Sequence, residues 1–434
     1  MERKAIDMDA YARMLSRLKT AEAMERFSSF YGNRDGTLAH QLTRYTELVK
    51  YHEDVYHSEK ELHLFSASGR TELLGNHTDH NNGKVMAAAV TLDTLAAVTP
   101  RDDMRVLVQS CGYPPLDLDL SDLSVKEEEK GTSAALVRGV AAGLARSGCS
   151  VGGFEATVTS EVQGGSGLSS SAAYEVLMCL ILDTLYNGNR VDAVERAKIA
   201  QYAENEYFGK PCGLMDQMAS SVGGLVYIDF KNLPDQPEIE PLSLDLASAG
   251  YTMVVVNTRG SHDDLTNEYA SIRTEMNSVA AFFGEKVLRR VRPEQFHQDL
   301  GKVRAACGDR ACLRSAHFFA ENERVKQTRK AVKENNISDL LRMMNLSGAS
   351  SWQLLQNLYV PGSSQPLSLA LMAAEEMLGE DGAHRVHGGG FAGTTLNVVP
   401  NQKVSCFVRR MESIFGPGCC FVLDIRAEGA AVVF

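Results

Sequence analysis

The segment that most constrains this chain is a glycine- and serine-rich stretch, Val162-Gln-Gly-Gly-Ser-Gly-Leu-Ser-Ser-Ser-Ala-Ala173. Its three glycines within four residues let the backbone turn tightly, so that successive N–H groups can point into one hollow. From Ala172 to Leu185 the apolar residues have helical spacing, and Asn187-Gly188 follows as a stop signal. A glycine loop that leads into a helix N-terminus attracts phosphate, because it offers free N–H donors and the positive end of the helix dipole.

The same residues would also serve as an ordinary turn before a core helix. The loop is not a Walker A motif, because neither Lys-Ser nor Lys-Thr follows it, and it lacks the third glycine of a dinucleotide fingerprint. On this segment alone, a phosphate cradle and a plain turn both remain open.

Length and charge narrow the class of protein. A chain of 434 residues exceeds the size at which one core usually keeps growing, so we expect two domains. The net charge is −11 and there is no Lys/Arg-rich block, so nucleic acid is not an expected partner. No apolar run approaches the roughly 20 residues of a membrane span, and the first residues are charged, so we expect a cytoplasmic protein with no membrane partner. Nine cysteines without a CxxC pair favour reduced thiols over disulfides or a zinc site.

A second polar stretch, Ser68 to Gly83, follows a short strand candidate at Leu62 to Ala67. Arg70 at the strand end and the small polar groups after it suit hydrogen bonding to a polyol. His77, Asp79 and His80 could instead bind a metal, as in a hydrolase, and a solvated loop is the third possibility.

Several other segments complete the pattern. Asp216 lies among apolar residues, where a carboxylate needs a partner, although the first turn of a short helix would also explain it. Glu204 lies on an amphipathic helix, and the glycine-rich turn at 388–395 precedes a strand. Helical spacing from residue 10 to 51 predicts an N-terminal lead-in, and Pro234-Asp-Gln-Pro-Glu238 is the best linker candidate.

Together these segments make the sequence resemble the galactokinases, in the superfamily of small-molecule kinases that also holds homoserine, mevalonate and phosphomevalonate kinases. The family motif Gly-Arg-x-Asn-x-Ile-Gly-Glu-His-Thr-Asp-Tyr-Asn appears here as Gly69-Arg-Thr-Glu-Leu-Leu-Gly-Asn-His-Thr-Asp-His-Asn81. The later motifs appear as Gly164-Gly-Ser-Gly-Leu-Ser-Ser-Ser-Ala172, Ala203-Glu204, Pro211-Cys-Gly-Leu-Met-Asp-Gln217 and Gly388-Gly-Gly-Phe-Ala-Gly-Thr-Thr395.

The resemblance implies an α/β (α+β) fold, the two-domain GHMP kinase fold with mixed sheets and an active-site cleft between the domains. We accordingly expect a helical lead-in over residues 1–60, an N-terminal kinase domain over 61–235 that carries the phosphate loop, and a C-terminal kinase domain over 236–434. The expected partners are a small sugar and ATP, and we expect a monomer.

The resemblance also implies the site. It predicts phosphoryl transfer from ATP to the C1 hydroxyl of galactose or a galactose-like sugar, with Asp216 and Arg70 at the point of transfer, and it assigns Mg²⁺ to Ser171 and Glu204. The residues predicted to hold the ATP phosphates are Gly164, Gly165, Ser166, Gly167, Leu168, Ser169, Ser170 and Ser171. The residues predicted to contact the sugar are Asn76, His77, Asp79, Gly213 and Tyr269.

Two departures from the family motif bear on the sugar. The sugar-contacting glutamate of the family is Asn76 here, and the tyrosine after Asp79 is His80. An amide at residue 76 predicts weak use of galactose or a preference for galacturonate or N-acetylgalactosamine. Some relatives of the galactokinases bind sugar and nucleotide as sensors without turnover. Such sensors lack residues after the loop serines, whereas Ser171-Ala-Ala173 is complete here, which favours an enzyme.

Overall fold

The computed structural model describes residues 9–34, 36–162, 167–233, 236–260, 265–360, 364–391 and 393–434. The α-helices are α1 (Ala10–Arg17), α2 (Ala21–Tyr31), α3 (Thr37–Tyr56), α4 (Ser133–Arg146), α5 (Ser170–Asn187), α6 (Ala193–Tyr202), α7 (Met215–Val222), α8 (Thr266–Phe282), α9 (Pro293–Gln298), α10 (Leu300–Cys307), α11 (Asp309–Lys333), α12 (Ile337–Ser350), α13 (Pro366–Leu378) and α14 (Val404–Phe415). The strands are β1 (His63–Leu74), β2 (Lys84–Pro100), β3 (Arg105–Ser110), β4 (Leu116–Asp119), β5 (Phe154–Ser160), β6 (Leu225–Asp229), β7 (Glu238–Leu242), β8 (Tyr251–Asn257), β9 (Ala383–His387), β10 (Thr394–Pro400), β11 (Cys420–Leu423) and β12 (Ala431–Val432).

The larger sheet is mixed and has the strand order β12-β1-β2-β5-β3-β4. Strand β2 is long enough to take two partners on one side, pairing with β6 over its first residues and with β5 over its last. The β3–β5 pair is parallel, and the other pairs of this sheet are antiparallel. The expected combination of helices with mixed sheets is therefore confirmed.

Both faces of the larger sheet are covered by helices. Phe65, Ala96 and Val98 pack in the core built with α4 and α5. Their neighbours Leu64 and Leu95 point to the opposite face, where α1 to α3 cover them. Because side chains alternate along a strand, one stretch of sequence supplies both cores. The predicted N-terminal helices are confirmed, and they form one layer of the fold.

The smaller sheet is antiparallel, with the order β11-β8-β10-β9. Helices α11 and α12 contribute to a core shared by the two sheets, whereas α13 and α14 cover the other face of the smaller sheet. Strands β7 and β12 join the larger sheet although they lie after residue 235 in sequence. The division at residue 235 stays a prediction, and residues 234 and 235 of the proposed linker lie outside the described residues.

Within the described ranges, no helix has both the length and the apolar character that crossing a membrane requires.

Candidate active site

The glycine-rich segment leads into α5, as the sequence predicts. Gly164, Gly165 and Ser166 lie outside the described residues, while Gly167 and Ser169 have φ angles of +72° and +63°. Helix α5 begins at Ser170, so the segment ends at a helix N-terminus, whose first N–H groups have no partner within the helix. A Cβ atom at Gly167 would overlap Oγ1 of Thr394. Glycine at this position therefore lets the loop pack against β10, the strand that follows the glycine-rich turn at 388–390.

The loop is tied to β1 through Arg70. The backbone N–H of Arg70 donates to the carbonyl of Leu168 at 3.1 Å, and its Nη1 donates to the carbonyl of Gly167. Leu168 itself is fully buried. These bonds fix the end of the loop relative to the strand that carries Arg70.

Asp216 lies in the first turn of α7 and accepts three hydrogen bonds. Nε of Arg70 donates to Oδ1 at 2.7 Å and Nη2 donates to Oδ2 at 2.6 Å, while Oγ of Ser169 donates to Oδ2 at 2.5 Å. A two-pronged contact between a guanidinium and a carboxylate fixes the orientation of both groups. The structure therefore brings together Arg70, Asp216 and the loop serine from three separate motifs.

The charge of Asp216 is stabilised by these partners. Burial alone would raise the pKa of Asp216, but Arg70 and the hydroxyl of Ser169 lower that pKa below its ordinary value. Burial opposes the charge of Arg70 in turn, yet the neighbouring carboxylate raises the pKa of Arg70. Because Oδ1 accepts one bond and Oδ2 accepts two, Oδ1 keeps a lone pair for a further donor. The carboxylate is 29% exposed, so such a donor can reach it.

A second group of polar atoms surrounds Glu204, which is 2% exposed in the π-helical segment Ala203–Phe208 that continues α6. Oγ of Ser171 donates to Oε1 of Glu204 at 3.1 Å, and Nε2 of Gln217 donates to Oε2 at 2.7 Å. The same Gln217 nitrogen also donates to Glu175 at 3.2 Å. Burial and then the charge of Glu204 raise the pKa of Glu175 well above its ordinary value.

These groups fit a hard cation such as Mg²⁺. The oxygens of Glu204 and Ser171 face one another, with Nζ of Lys210 at 3.4 Å from Oε1 of Glu204. Oε1 of Glu175 and Oε1 of Gln217 are buried oxygens that have no hydrogen-bond partner among the described residues. In the described part of the chain, no three His, Cys, Asp or Glu residues are arranged to hold a metal by themselves. Mg²⁺ is usually bound through one or two carboxylates together with substrate phosphates, so Ser171 and Glu204 suit this mode.

Two of the residues predicted to bind sugar are packed against each other. A Cβ atom at Gly213 would overlap Oδ2 of Asp79, so only glycine at this position leaves room for that carboxylate. Oδ1 of Asp79 accepts from the backbone N–H of His80 at 3.0 Å. The first family motif and the segment that carries Asp216 therefore meet at Asp79.

The other three residues predicted to contact the sugar form hydrogen bonds with the glycine-rich turn at 388–390. Successive carbonyl groups of the turn at 388–390 accept hydrogen bonds from Asn76, His77 and Tyr269, in that order. The distances are 2.7 Å from Nδ2 of Asn76, 2.9 Å from Nε2 of His77 and 2.8 Å from the hydroxyl of Tyr269. Contact of these side chains with a sugar stays a prediction, and for Asn76 it would require an existing bond to be given up.

The geometry does not favour a metallohydrolase. Burial, followed by the neighbouring His80, lowers the pKa of His77 to about 3, so His77 is neutral. Because the carbonyl of Gly389 can only accept, Nε2 of His77 carries the proton of this bond and is not available as a metal ligand. Nε2 of His80 lies 3.8 Å from Oδ1 of Asp79.

Sequence reasoning missed one polar residue that lies beside the glycine loop, His387. Buried His387 shares hydrogen bonds with Thr71 at 3.1 Å and Thr394 at 3.0 Å, next to Gly167. Its pKa lies well below the ordinary value because of burial and then the charges of Arg70 and Arg385. Its place at the end of a strand, directly before the glycine turn, was the signal that could have indicated it.

Comparisons with known proteins find similar sequences over most of this chain. The GHMP kinases N terminal domain matches residues 135–224, and the galactokinase galactose-binding signature matches residues 50–100. The galactokinase of Glaesserella parasuis serovar 5 is 34% identical over 347 residues, which are 78% of this chain and 85% of that protein. The galactokinase of Clostridium beijerinckii is 31% identical over 356 residues, covering 81% and 88%.

Solved structures show the same similarity. The structure of Lactococcus lactis galactokinase complexed with galactose superimposes with a TM-score of 0.78 at 25% identity, covering 90% of this chain and 99% of that one. The mevalonate kinase of Methanococcus jannaschii gives a TM-score of 0.60 at 13% identity, with 84% and 98% covered, which shows a shared fold alone.

Proposed function

Since this chain belongs to the galactokinase family of GHMP kinases and is a kinase, we propose that it transfers the γ-phosphoryl group of ATP to the C1 hydroxyl of galactose. The observation that carries this proposal is the contact of Arg70 with Asp216 at the end of the glycine loop. This contact sets the carboxylate of Asp216, which can accept a hydrogen bond, beside the positive charge of Arg70 at the point where the glycine loop meets β1.

In the proposed reaction, the C1 hydroxyl donates its hydrogen bond to the free lone pair of Asp216 Oδ1. The sugar oxygen forms the new bond to the γ-phosphorus while the bond between that phosphorus and the oxygen that bridges it to the β-phosphate breaks, and the hydroxyl proton passes to Asp216. Phosphoryl transfer depends mainly on positioning and charge stabilisation. The lowered pKa of Asp216 makes it a weak base, so its main role is to orient the hydroxyl, and the proton moves late.

Arg70 has two proposed roles. It keeps Asp216 ionised and correctly oriented, and its positive charge stabilises the negative charge of the transferring group. The loop up to Ser171 and the N-terminus of α5 hold the ATP phosphates with backbone N–H groups. Glu204 and Ser171 would hold Mg²⁺, which would neutralise part of the phosphate charge.

For the sugar, we propose galactose as the leading substrate. Asp79, fixed against Gly213, offers a carboxylate to sugar hydroxyls, and His77 and Tyr269 border the same region. Galacturonate and N-acetylgalactosamine are the alternative sugars. A division into two kinase domains with a cleft between them belongs to the same proposal.

The test is ADP release with Mg²⁺ and ATP across galactose, galacturonate, N-acetylgalactosamine and glucose, with ³¹P NMR to identify the phosphorylated hydroxyl. We expect turnover with galactose and an anomeric phosphate. Calorimetric binding of galactose without any ADP release would instead indicate a sensor. Turnover with a phosphate at another hydroxyl would refute the C1 assignment.

A further inference from the structure

The amide of Asn76 has no hydrogen-bonding capacity left over. Its Nδ2 donates to the carbonyl of Gly388 at 2.7 Å and to Oε2 of Glu72 at 3.3 Å. Its Oδ1 accepts from Nδ2 of Asn357 at 2.8 Å and from the hydroxyl of Ser351 at 3.2 Å. An amide has two donor hydrogens and two acceptor lone pairs, and the side chain is 1% exposed. Asn76 therefore links Glu72 on β1 to the turn at 388–390 and to Ser351 and Asn357.

Glu72 forms a buried ion pair beside that bridge. Nη2 of Arg385 donates to Oε1 of Glu72 at 2.7 Å, and the two side chains are 0% and 3% exposed. In the described residues, Glu72 is the one carboxylate that Arg385 contacts as an ion pair. Loss of either partner would leave a buried charge without its counter-charge, which is strongly unfavourable.

Residues 72 and 76 together are exchanged relative to the family motif. The motif has asparagine at the position of Glu72 and glutamate at the position of Asn76, so the chain keeps one amide and one carboxylate but reverses their order. The two side chains touch through the hydrogen bond from Asn76 to Glu72. The carboxylate that the family motif has at residue 76 is therefore retained at Glu72, next to Asn76.

Glu72 and Asn76 connect the catalytic strand, β1, which carries Arg70, to the glycine-rich turn at 388–390. Glu72 follows Arg70 by two residues, in a stretch where β1 and β2 pair in regular register, so both side chains leave the same face of β1. Arg385 lies on β9, which leads into the turn at 388–390, and Asn76 holds the first carbonyl of that turn. A displacement of the pair would move this turn relative to Arg70.

We propose that Glu72 and Asn76 are a coupled positioning pair that holds the turn at 388–390 against the catalytic strand, and that residue 76 does not select the sugar. The proposal rests on the proposed kinase activity. The two residues are energetically coupled. Replacing either one alone lowers activity, whereas the reversed pair, with asparagine at residue 72 and glutamate at residue 76, restores it.

The experiment is a double-mutant cycle of Glu72→Asn, Asn76→Glu and the double exchange, with Glu59→Asn as the same substitution at an exposed position. Glu72→Asn removes the counter-charge of Arg385, and Asn76→Glu sets a second carboxylate against Glu72 and the carbonyl of Gly388. We expect each single variant to lose about 10-fold or more in kcat, and the double exchange to recover to within about threefold of wild type. The ratio of kcat/KM for galactose to that for N-acetylgalactosamine should stay constant throughout.

Two outcomes would overturn the proposal. One is a double exchange that is no better than the product of the two single losses. The other is a changed sugar ratio in Asn76→Glu, which would make residue 76 a reader of substrate. Should a single variant be too unstable for the turnover assay, the thermal midpoints decide, because coupling requires the double exchange to melt above the midpoint expected from the sum of the two single shifts. Melting needs no turnover, and wild-type ADP release reports separately on the proposed function.

Discussion

Replacement of Asp216 by asparagine tests the proposed chemistry most directly. Asp216→Asn keeps the size of the side chain but removes its charge and replaces one acceptor oxygen by an NH₂ group. In either orientation that NH₂ group faces a donor of Arg70, so at least one of the three present hydrogen bonds is lost. The lone pair proposed to accept the sugar hydroxyl loses its anionic character at the same time.

The expected magnitude follows from these contacts. Loss of an acceptor for a proton in the transition state typically costs 10²- to 10⁴-fold, which corresponds to about 2.7 to 5.5 kcal/mol in the barrier. The lost hydrogen bond to Arg70 involves a charged group and would lower the free energy of unfolding by roughly 1.5 to 3 kcal/mol. We therefore expect kcat to fall by about 10²-fold or more in a protein that still folds. Arg70→Ala should also lower kcat by about 10²-fold or more, because the loss of its positive charge weakens stabilisation of the transferring group.

The assay is ADP release at saturating galactose and MgATP, with urea unfolding of each variant. Asp102→Asn is the matched control, since that carboxylate is 87% exposed and lies on the surface. Ser169→Ala, which removes one hydrogen bond to Asp216 and leaves Arg70 in place, should lower kcat less than Asp216→Asn does. A kcat of Asp216→Asn within about threefold of the wild-type value would refute the role given to this carboxylate.

Three further predictions concern other parts of the site. Glu204→Gln and Ser171→Ala should raise the Mg²⁺ concentration needed for half-maximal activity without changing calorimetric sugar binding, and an unchanged Mg²⁺ titration in both would locate the metal elsewhere. Gly213→Ala should raise the KM for sugar about 10-fold or more by displacing Asp79, since a Cβ has no room there, and an unaltered KM would remove Asp79 from the sugar site. Although burial opposes its charge, Arg324 lowers the pKa of Glu321 to about 2, so Glu321 stabilises the fold fully above about pH 5 and loses this contribution as the pH falls towards 2. On the order of 3 kcal/mol is at stake, and urea unfolding of Glu321→Gln should lack this part of the pH dependence, whereas an identical pH dependence in both proteins would contradict the assignment.

The sequence by itself determined the local elements and the family. Helix α5 was predictable because its apolar residues recur at helical spacing and Asn187-Gly188 marks its end. The motifs around Arg70 and Asp216 were recognisable because they are contiguous in the chain. The prediction that the loop binds phosphate depended on its glycines and on the helix that follows, both of which are local features of the sequence.

Only the tertiary structure decided which of these motifs meet and what each side chain contacts. Arg70 and Asp216 are 146 positions apart, and Asn76 and Gly388 are 312 apart. Periodicity shows that a face is buried but not what covers it, so the layer formed by the N-terminal helices could not be read from their pattern. For the same reason the sequence showed the change at residue 76 as a lost carboxylate. The fold shows that Glu72 supplies a carboxylate beside residue 76. The path of the chain after β1 brings these two side chains within hydrogen-bonding distance, and the sequence does not show that path.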